Sequence, residues 1–279
     1  MCPELFHIGP FALRTYGLAL AASFFIALYF IRRWGTKEGL DTNQLSNLAF
    51  IVIATGIAGA RLGYVLFHLE EFKGNWTATF NPFQSGNFGI AGLNLYTGVI
   101  LATAFGFYYM HKVRLPFWKT ADIFAPTVAF GIFLTRIGCF LNGCCYGTPT
   151  HLPWGMVFPP GSIPDAVFGG QAIHPTQLYS SLFGLFLFGF LVRHNGKKKF
   201  EGSTFSILLM ADSLFRFFIE FVRSYEPEMY LSVGGLHWTY NQWMAILLFG
   251  FGFVLGLKLR KRTSLTPNPS PSLGVARDK

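Results

Sequence analysis

The sequence predicts an all-α, polytopic membrane protein of about seven transmembrane helices, with the N-terminus outside and the C-terminus in the cytoplasm. Three observations carry that expectation. Hydrophobic residues make up 52% of the 279 positions and charged residues only 13%, about half the charged share of a soluble domain at roughly 25%. Apolar segments long enough to cross a bilayer, which takes ~20 residues, recur along the chain. Lys and Arg gather in alternate connections between those segments. The 33 Phe and 31 Gly suit lipid-facing aromatic surface and close helix contacts. The formal charge of +9 sits between apolar segments, which favours a topological role and argues against a nucleic-acid surface.

The predicted spans are 12–31, 45–67, 88–110, 120–141, 175–193, 203–222 and 239–257. No basic leader with a short cleavable core precedes the first, so the first span is expected to be retained. The first, third and fifth connections hold Arg32, Arg33 and Lys37; Lys112, Arg114 and Lys119; and Arg193, Lys197, Lys198 and Lys199. Lys258, Arg260, Lys261 and Arg262 follow the last span, while the other side carries little beyond Lys73 and Arg223. The basic side is therefore read as cytoplasmic. Residues 1–262 read as a single membrane-embedded domain, with long outer-side loops near 142–174 and 223–238. The Ser- and Pro-rich stretch 263–279 reads as a disordered cytoplasmic tail.

Charged groups inside a span cost at least ~2.5–3.5 kcal/mol each on insertion scales, so they are candidates for function. These are Arg14 and Tyr16 near the outer end of the first span, Arg61 in the second, Asp122 and Arg136 in the fourth, and Asp212, Arg216, Glu220 and Arg223 in the sixth. The sixth-span residues recur at helical spacing and form one stripe, in which acid and base can pair. Such a stripe can serve packing alone. Arginine nevertheless exceeds acid in the outer half, and a surplus of guanidinium groups in lipid surroundings calls for an anion, most naturally a phosphate.

The run Thr135-Arg136-Ile137-Gly138-Cys139-Phe140-Leu141-Asn142-Gly143-Cys144-Cys145-Tyr146-Gly147 mixes polar and small groups most densely. Glycines there permit close backbone approach to a ligand, and a helix cap with a turn explains Gly143 and Gly147 equally well. The adjacent Cys144 and Cys145 have no zinc spacing and no CxxC. They read as buried inert thiols rather than a catalytic pair, and no metal is expected. His174, ahead of Pro175 at the start of the fifth span, is either a proton carrier or an ordinary hydrogen-bonding group.

Taken together, the chain resembles the prolipoprotein diacylglyceryl transferases from about Phe6 to Leu259. The matching pieces are Ile8-Gly9-Pro10 with Tyr16-Gly17, Gly59-Ala60-Arg61-Leu62-Gly63-Tyr64, the block from Arg136 to Gly147, His174-Pro175-Thr176-Gln177-Leu178-Tyr179, and Phe215-Arg216 with Glu220-Phe221 and Arg223. The resemblance implies transfer of the diacylglyceryl group of phosphatidylglycerol to the lipobox cysteine of a preprolipoprotein. A thioether would form and glycerol 1-phosphate would leave at the outer face of the cytoplasmic membrane. No cofactor is implied; the partners are phosphatidylglycerol, the lipobox segment and the bilayer. Arg136 and Arg216 would be the essential arginines, binding phosphate and stabilising the leaving group. Tyr16, Arg61, Asn142, Gly147, Glu220, Arg223 and His174 match further functional positions.

The chain departs from the family pattern at several places. Where many members carry a His-Gly-Gly-Leu run, this chain has Tyr96-Thr97-Gly98-Val99, so either the catalytic role falls on Tyr96, a poorer base near pH 7, or another group takes the proton. Asp212 stands where a Tyr is frequent, Cys139 where an Asn is common, and Cys144 where some members have an acid. Two other readings compete with the transferase. A catalytically altered paralogue could bind lipid or lipoprotein only, and a transporter would require inverted repeats that the sequence does not display.

Overall fold

The computed structural model describes residues 4–8, 11–72, 94–225, 229–233 and 235–265. Within them, β1 (Glu4–Ile8) and β2 (Phe11–Arg14) form an antiparallel hairpin. The helices that follow are α1 (Thr15–Lys37), α2 (Thr42–Phe67), a single turn α3 (Leu69–Phe72), α4 (Leu95–Lys112), α5 (Phe117–Asn142), a short α6 (Ile163–Phe168), α7 (Thr176–Asn195) and α8 (Ser203–Ile219). A 3-10 turn, Glu220–Val222, extends α8. A second hairpin, β3 (Tyr230–Val233) with β4 (Leu236–Thr239), leads into α9 (Tyr240–Leu265).

Five of the described helices, α1, α2, α5, α7 and α9, are long and apolar enough to cross a membrane. The other two long ones are shorter: α8 has 17 residues, and α4 has 18, among them Tyr96, Thr97, Thr103, His111 and Lys112. Large apolar side chains such as Phe67, Leu182, Phe186 and Leu247 lie two-thirds or more exposed. A water-soluble fold does not leave apolar surface of that extent bare; it is the surface expected against lipid.

The structure corrects several expectations. The fold is mainly helical but not all-α, because backbone pairing takes 4–8 with 11–14 and 230–233 with 236–239. Residues 12–14, expected to open the first helix, are strand, and Arg14 ends β2. The third helix starts at Leu95, where Asn94 caps it by accepting from the Tyr96 and Thr97 amides; 88–93 lie outside the described residues. Helix α8 stops at Ile219, and α9 continues to Leu265, past the expected end at 257 and into the expected tail. The remainder of that tail, 266–279, lies outside the described residues.

Helix α5 is central, packing on α1, α7 and α8, while α2 pairs with α4 and α8 with α9. Small residues allow these approaches. Gly59 and Gly63 of α2 face Leu101 and Thr97, leaving no space for a Cβ, and Gly98 of α4 faces the Gly56 carbonyl. Gly184 of α7 lies against the backbone of Ala129 and Phe133 of α5, and Ser181 donates to the Phe133 carbonyl at 3.0 Å. The Gly252–Gly256 face of α9 packs within the chain, on Ser206 and Leu209 of α8. Ala125, Ala129, Leu187, Leu191 and Leu208 form the core between α5, α7 and α8.

The two ends of the bundle are polar in different ways. At one end Asp122, fully buried, accepts from the backbone N–H groups of Gly202 (2.8 Å) and Phe205 (3.0 Å) and faces Lys198 at 3.5 Å. Helix α8 has no side-chain cap of its own, so Asp122 serves as its N-cap from another helix and satisfies amides that would otherwise lack partners. Lys198 and Lys119 also hold Glu38, at 3.1 and 3.4 Å. Burial pushes the Glu38 carboxyl up, but the hydrogen bonds and charges of the two lysines outweigh it and leave it below its ordinary range.

Candidate active site

The opposite end gathers the C-termini of α5 and α8 and the N-termini of α1, α4, α7 and α9. Helix α5 runs through Arg136 and Cys139 to Asn142 and closes on Gly143 in the left-handed conformation (φ 76°), as glycine at a helix C-terminus commonly does. The chain then crosses α8. Gly147 bridges Arg223, the Gly147 amide donates to the His174 carbonyl (3.0 Å), and the Thr148 amide donates to the Val222 carbonyl (2.9 Å). A Cβ at Gly147 would sit 2.6 Å from the Val222 oxygen, so only glycine permits this crossing.

Arg136, Asp212, Arg216, Glu220 and Arg223 line one small cleft with Ile132, Ser180, Phe215 and Ile219. The stripe on α8 pairs as its spacing predicts. Arg216 Nε meets Asp212 Oδ2 at 2.8 Å, and Arg223 meets Glu220 Oε1 at 3.3 Å. Arg136 has no carboxylate partner among the described residues, and the buried Nε of Arg223 meets no acceptor there. Three arginines thus face two carboxylates, with donors left over.

Glu220 is buried and fully engaged. Its Oε1 accepts from Tyr225 (2.8 Å) and Arg223, and its Oε2 accepts from Thr239 (3.0 Å) and Asn241 Nδ2 (3.2 Å). Asn241 also donates to the Tyr225 hydroxyl at 3.0 Å and accepts from the Tyr96 hydroxyl at 3.1 Å. Tyr96 on α4 is therefore joined through Asn241 on α9 to the carboxylate that holds Arg223. Burial holds the Tyr225 phenol above its ordinary range; Arg223 pulls the other way, but the adjacent Glu220 carboxylate reinforces the rise.

Several expected residues lie around this core rather than in it. Tyr16, on the first turn of α1, packs against Gly138 and is within electrostatic reach of Arg136. Asn142 ends α5, within reach of the Cys144 thiol. Arg61 is buried on α2, its guanidinium 5.6 Å from the Tyr64 ring and 5.2 Å from the Phe72 ring, and it does not line the arginine cleft. His174, with Nδ1 3.3 Å from the Tyr179 hydroxyl, lines a separate open apolar groove of about 740 Å³ with Leu152, Trp154, Met156, Leu178 and Val222. Sequence reading missed Tyr225, Thr239 and Asn241. The signal for Thr239 and Asn241 is a polar Thr239-Tyr240-Asn241-Gln242 run at the head of an apolar helix, which looks like an ordinary water interface; Tyr225 has none.

Exposed apolar helices and a half-buried, arginine-rich cluster at one end of the bundle define a helical membrane protein with a surplus of guanidinium groups at that end. Residues 3–257 match the family model described as prolipoprotein diacylglyceryl transferase. Among similar proteins is the phosphatidylglycerol–prolipoprotein diacylglyceryl transferase of Vibrio cholerae, 35% identical over 237 residues, 84% of this chain and 82% of that protein. Proteins of the same name from Solidesulfovibrio magneticus (33%, covering 89% and 91%) and Prochlorococcus marinus (32%, covering 84% and 80%) are also similar. The chain belongs to the prolipoprotein diacylglyceryl transferase family.

Proposed function

We propose that this chain transfers the diacylglyceryl group of phosphatidylglycerol to the cysteine thiol of a prolipoprotein, in a bacterial cytoplasmic membrane, with the arginine cleft toward the outer leaflet. The observation that carries the reading is the surplus of guanidinium groups over carboxylates in a cleft walled by apolar helices. The positions of Lys37, Lys112, Lys119 and Lys198 at the opposite end support a cytoplasmic assignment of that end. On this reading all seven long helices cross the bilayer, and the N-terminus lies outside.

The lipid phosphate docks on Arg136 and on the terminal nitrogens of Arg216, whose Nε is committed to Asp212. The substrate thiol first loses its proton to water, and the thiolate attacks the glycerol carbon that carries the phosphate. The S–C bond forms, the C–O bond breaks with its electron pair going to oxygen, and glycerol 1-phosphate departs. Charge grows on the departing phosphate, so pre-set arginines stabilise the transition state more than the bound lipid. Tyr96 donates its hydroxyl hydrogen bond to Asn241, which leaves its oxygen lone pairs to accept from the incoming thiol and orient it before it ionises. Glu220 holds Arg223 and Asn241 in register. Tyr16, Arg61, Asn142, Gly147 and His174 shape the surrounding binding surface.

The test is a transfer assay with purified protein in detergent, phosphatidylglycerol and a lipobox peptide, read by mass spectrometry as a diacylglyceryl adduct on cysteine. Adduct from the unaltered chain, absent in folded Arg136→Ala and Arg216→Ala, is expected. Transfer at full rate in both variants would refute the assignment. Product from Tyr96→His alone would mark a chain that binds lipid but has lost transfer.

A further inference from the structure

Beside the arginine cleft lies a second cluster that the transfer reaction does not use. Cys139 is on the last turn of α5, and Cys144 and Cys145 follow its glycine cap. All are free thiols, and the three Sγ atoms lie within 4.8 Å of one another. Consecutive residues of an extended chain point to opposite sides, so a vicinal pair does not ordinarily converge on a third side chain. Here Cys145 adopts φ 63°, a left-handed conformation that non-glycine residues rarely take and that tends to mark functional sites. It swings the Cys145 thiol to the side of Cys144 and Cys139.

The loop is held in that shape from outside. Gln177 Nε2 donates to the Cys144 carbonyl and Thr176 Oγ1 to the Cys145 carbonyl, each at 2.8 Å, and the Cys144 thiol points at the Cys139 carbonyl at 3.7 Å. The thiols are thus arranged by the protein before any ligand arrives.

Metal–thiolate bonds near 2.3 Å place three sulfurs around a trigonal ion about 4.0 Å apart. The triad needs to contract by less than about 1 Å to reach that spacing. Among the described residues no His, Asp or Glu completes a fourth corner. Zinc prefers four ligands and hard ions prefer oxygen, whereas soft sulfur alone suits monovalent copper. We propose that Cys139, Cys144 and Cys145 form a three-coordinate thiolate site for monovalent copper at the end of α5.

The full-length protein in detergent, reduced and anaerobic, is titrated with Cu(I) against a chromogenic chelator. One copper per chain withheld from the chelator is expected. Affinity should fall at least tenfold in Cys139→Ser and in Cys145→Ser, and stay unchanged in Cys2→Ser. Zn(II), added in place of copper, should not be retained under matched competition. A second measurement needs no variant: copper should protect Cys144 and Cys145 of the unaltered protein from alkylation, mapped by peptide mass. Copper held equally well by folded Cys139→Ser, loss of copper in Cys2→Ser, preferential zinc retention, or equal alkylation with and without copper would each overturn the site.

Discussion

Replacing Glu220 by Gln keeps the shape of a side chain whose two oxygens each accept two hydrogen bonds, and turns one of them into a donor. Oε1 serves Tyr225 and Arg223, and Oε2 serves Thr239 and Asn241. Whichever oxygen becomes an amide nitrogen, two donors lose their acceptor, and bonds to a charged group are worth ~1.5–3 kcal/mol each. The least costly arrangement keeps the amide oxygen on Tyr225 and Arg223. Thr239 can then rotate its hydroxyl, although it already accepts from the Gln242 amide at 3.2 Å. Asn241 must flip, which removes the oxygen that Tyr96 bonds. These adjustments recover part of the loss, so the expected destabilisation is about 2–3 kcal/mol. Arg223 loses its counter-charge and Tyr96 its anchor together, and transfer should fall by about 100-fold, the scale of one lost preorganised donor. Thermal melts in detergent and the adduct assay measure the two effects. Combining Glu220→Gln with Asn241→Ala should be clearly less than additive, because both act through one network. A variant with unaltered melting and an unaltered rate, or fully additive losses, would refute the idea that Glu220 organises this centre.

Three further outcomes follow from the packing. Asp122→Ala leaves the Gly202 and Phe205 amides without their acceptor and should cost about 2–4 kcal/mol, with transfer per folded molecule unchanged; a rate loss without a stability loss would return Asp122 to the chemistry. Glu38→Gln should cost under about 1 kcal/mol at pH 7. Because the Glu38 carboxyl sits below its ordinary range, its contribution is present above the unfolded value near ~4.3 and is lost as pH falls through the folded one, so melts of variant and unaltered protein should converge below about pH 4, and a gap that widens on acidification would contradict the pairing. Gly63→Leu drives a side chain into Thr97 and should destabilise by about 1–3 kcal/mol, with loss of transfer as the α4 start that carries Tyr96 shifts; wild-type melting would show that α2 and α4 do not pack this closely.

Five of the seven long helices, α1, α2, α5, α7 and α9, were legible because each is an apolar run of span length bounded by turns or basic residues, and α4 and α8 because each holds a shorter apolar run. The departures have local causes that apolar runs do not report. Residues 12–14 are apolar or long enough for a helix, but pairing with 4–8 takes their backbone. The Arg216 and Arg223 pairs could be read from i, i+4 and i, i+3 spacing, which is local to α8 and the turn that follows it. The network around Glu220 could not, since Tyr96, Tyr225, Thr239 and Asn241 come from three separate places in the chain and meet only when α4, α8 and α9 share one end. The same limit hid the thiol cluster, where a left-handed Cys145 overturns the expectation that neighbours diverge. Asp122 shows the converse: an intramembrane charge that invites a catalytic role proves to be another helix's cap.

Tyr96 is the sharpest remaining question, and the chemistry asks little of it. A substrate thiol of pKa ~8.5 is already a few per cent thiolate at pH 7, so the larger barrier lies in expelling phosphate, which the arginines address. Tyr96 donates its hydroxyl to Asn241 and can orient the thiol without removing a proton from it. Two consequences separate this from general-base catalysis. Tyr96→Phe keeps the ring and loses only the hydroxyl, so it should slow transfer by about tenfold, near 1.4 kcal/mol, while Arg136→Ala should cost 10²-fold or more. The rate at limiting peptide should also climb about tenfold per pH unit toward the thiol pKa near ~8.5, in the unaltered chain and in Tyr96→Phe alike. If the hydroxyl were the base, Tyr96→Phe would instead flatten that rise and cost as much as the arginine variant. Parallel pH profiles with unequal heights would place the burden of catalysis on the leaving group.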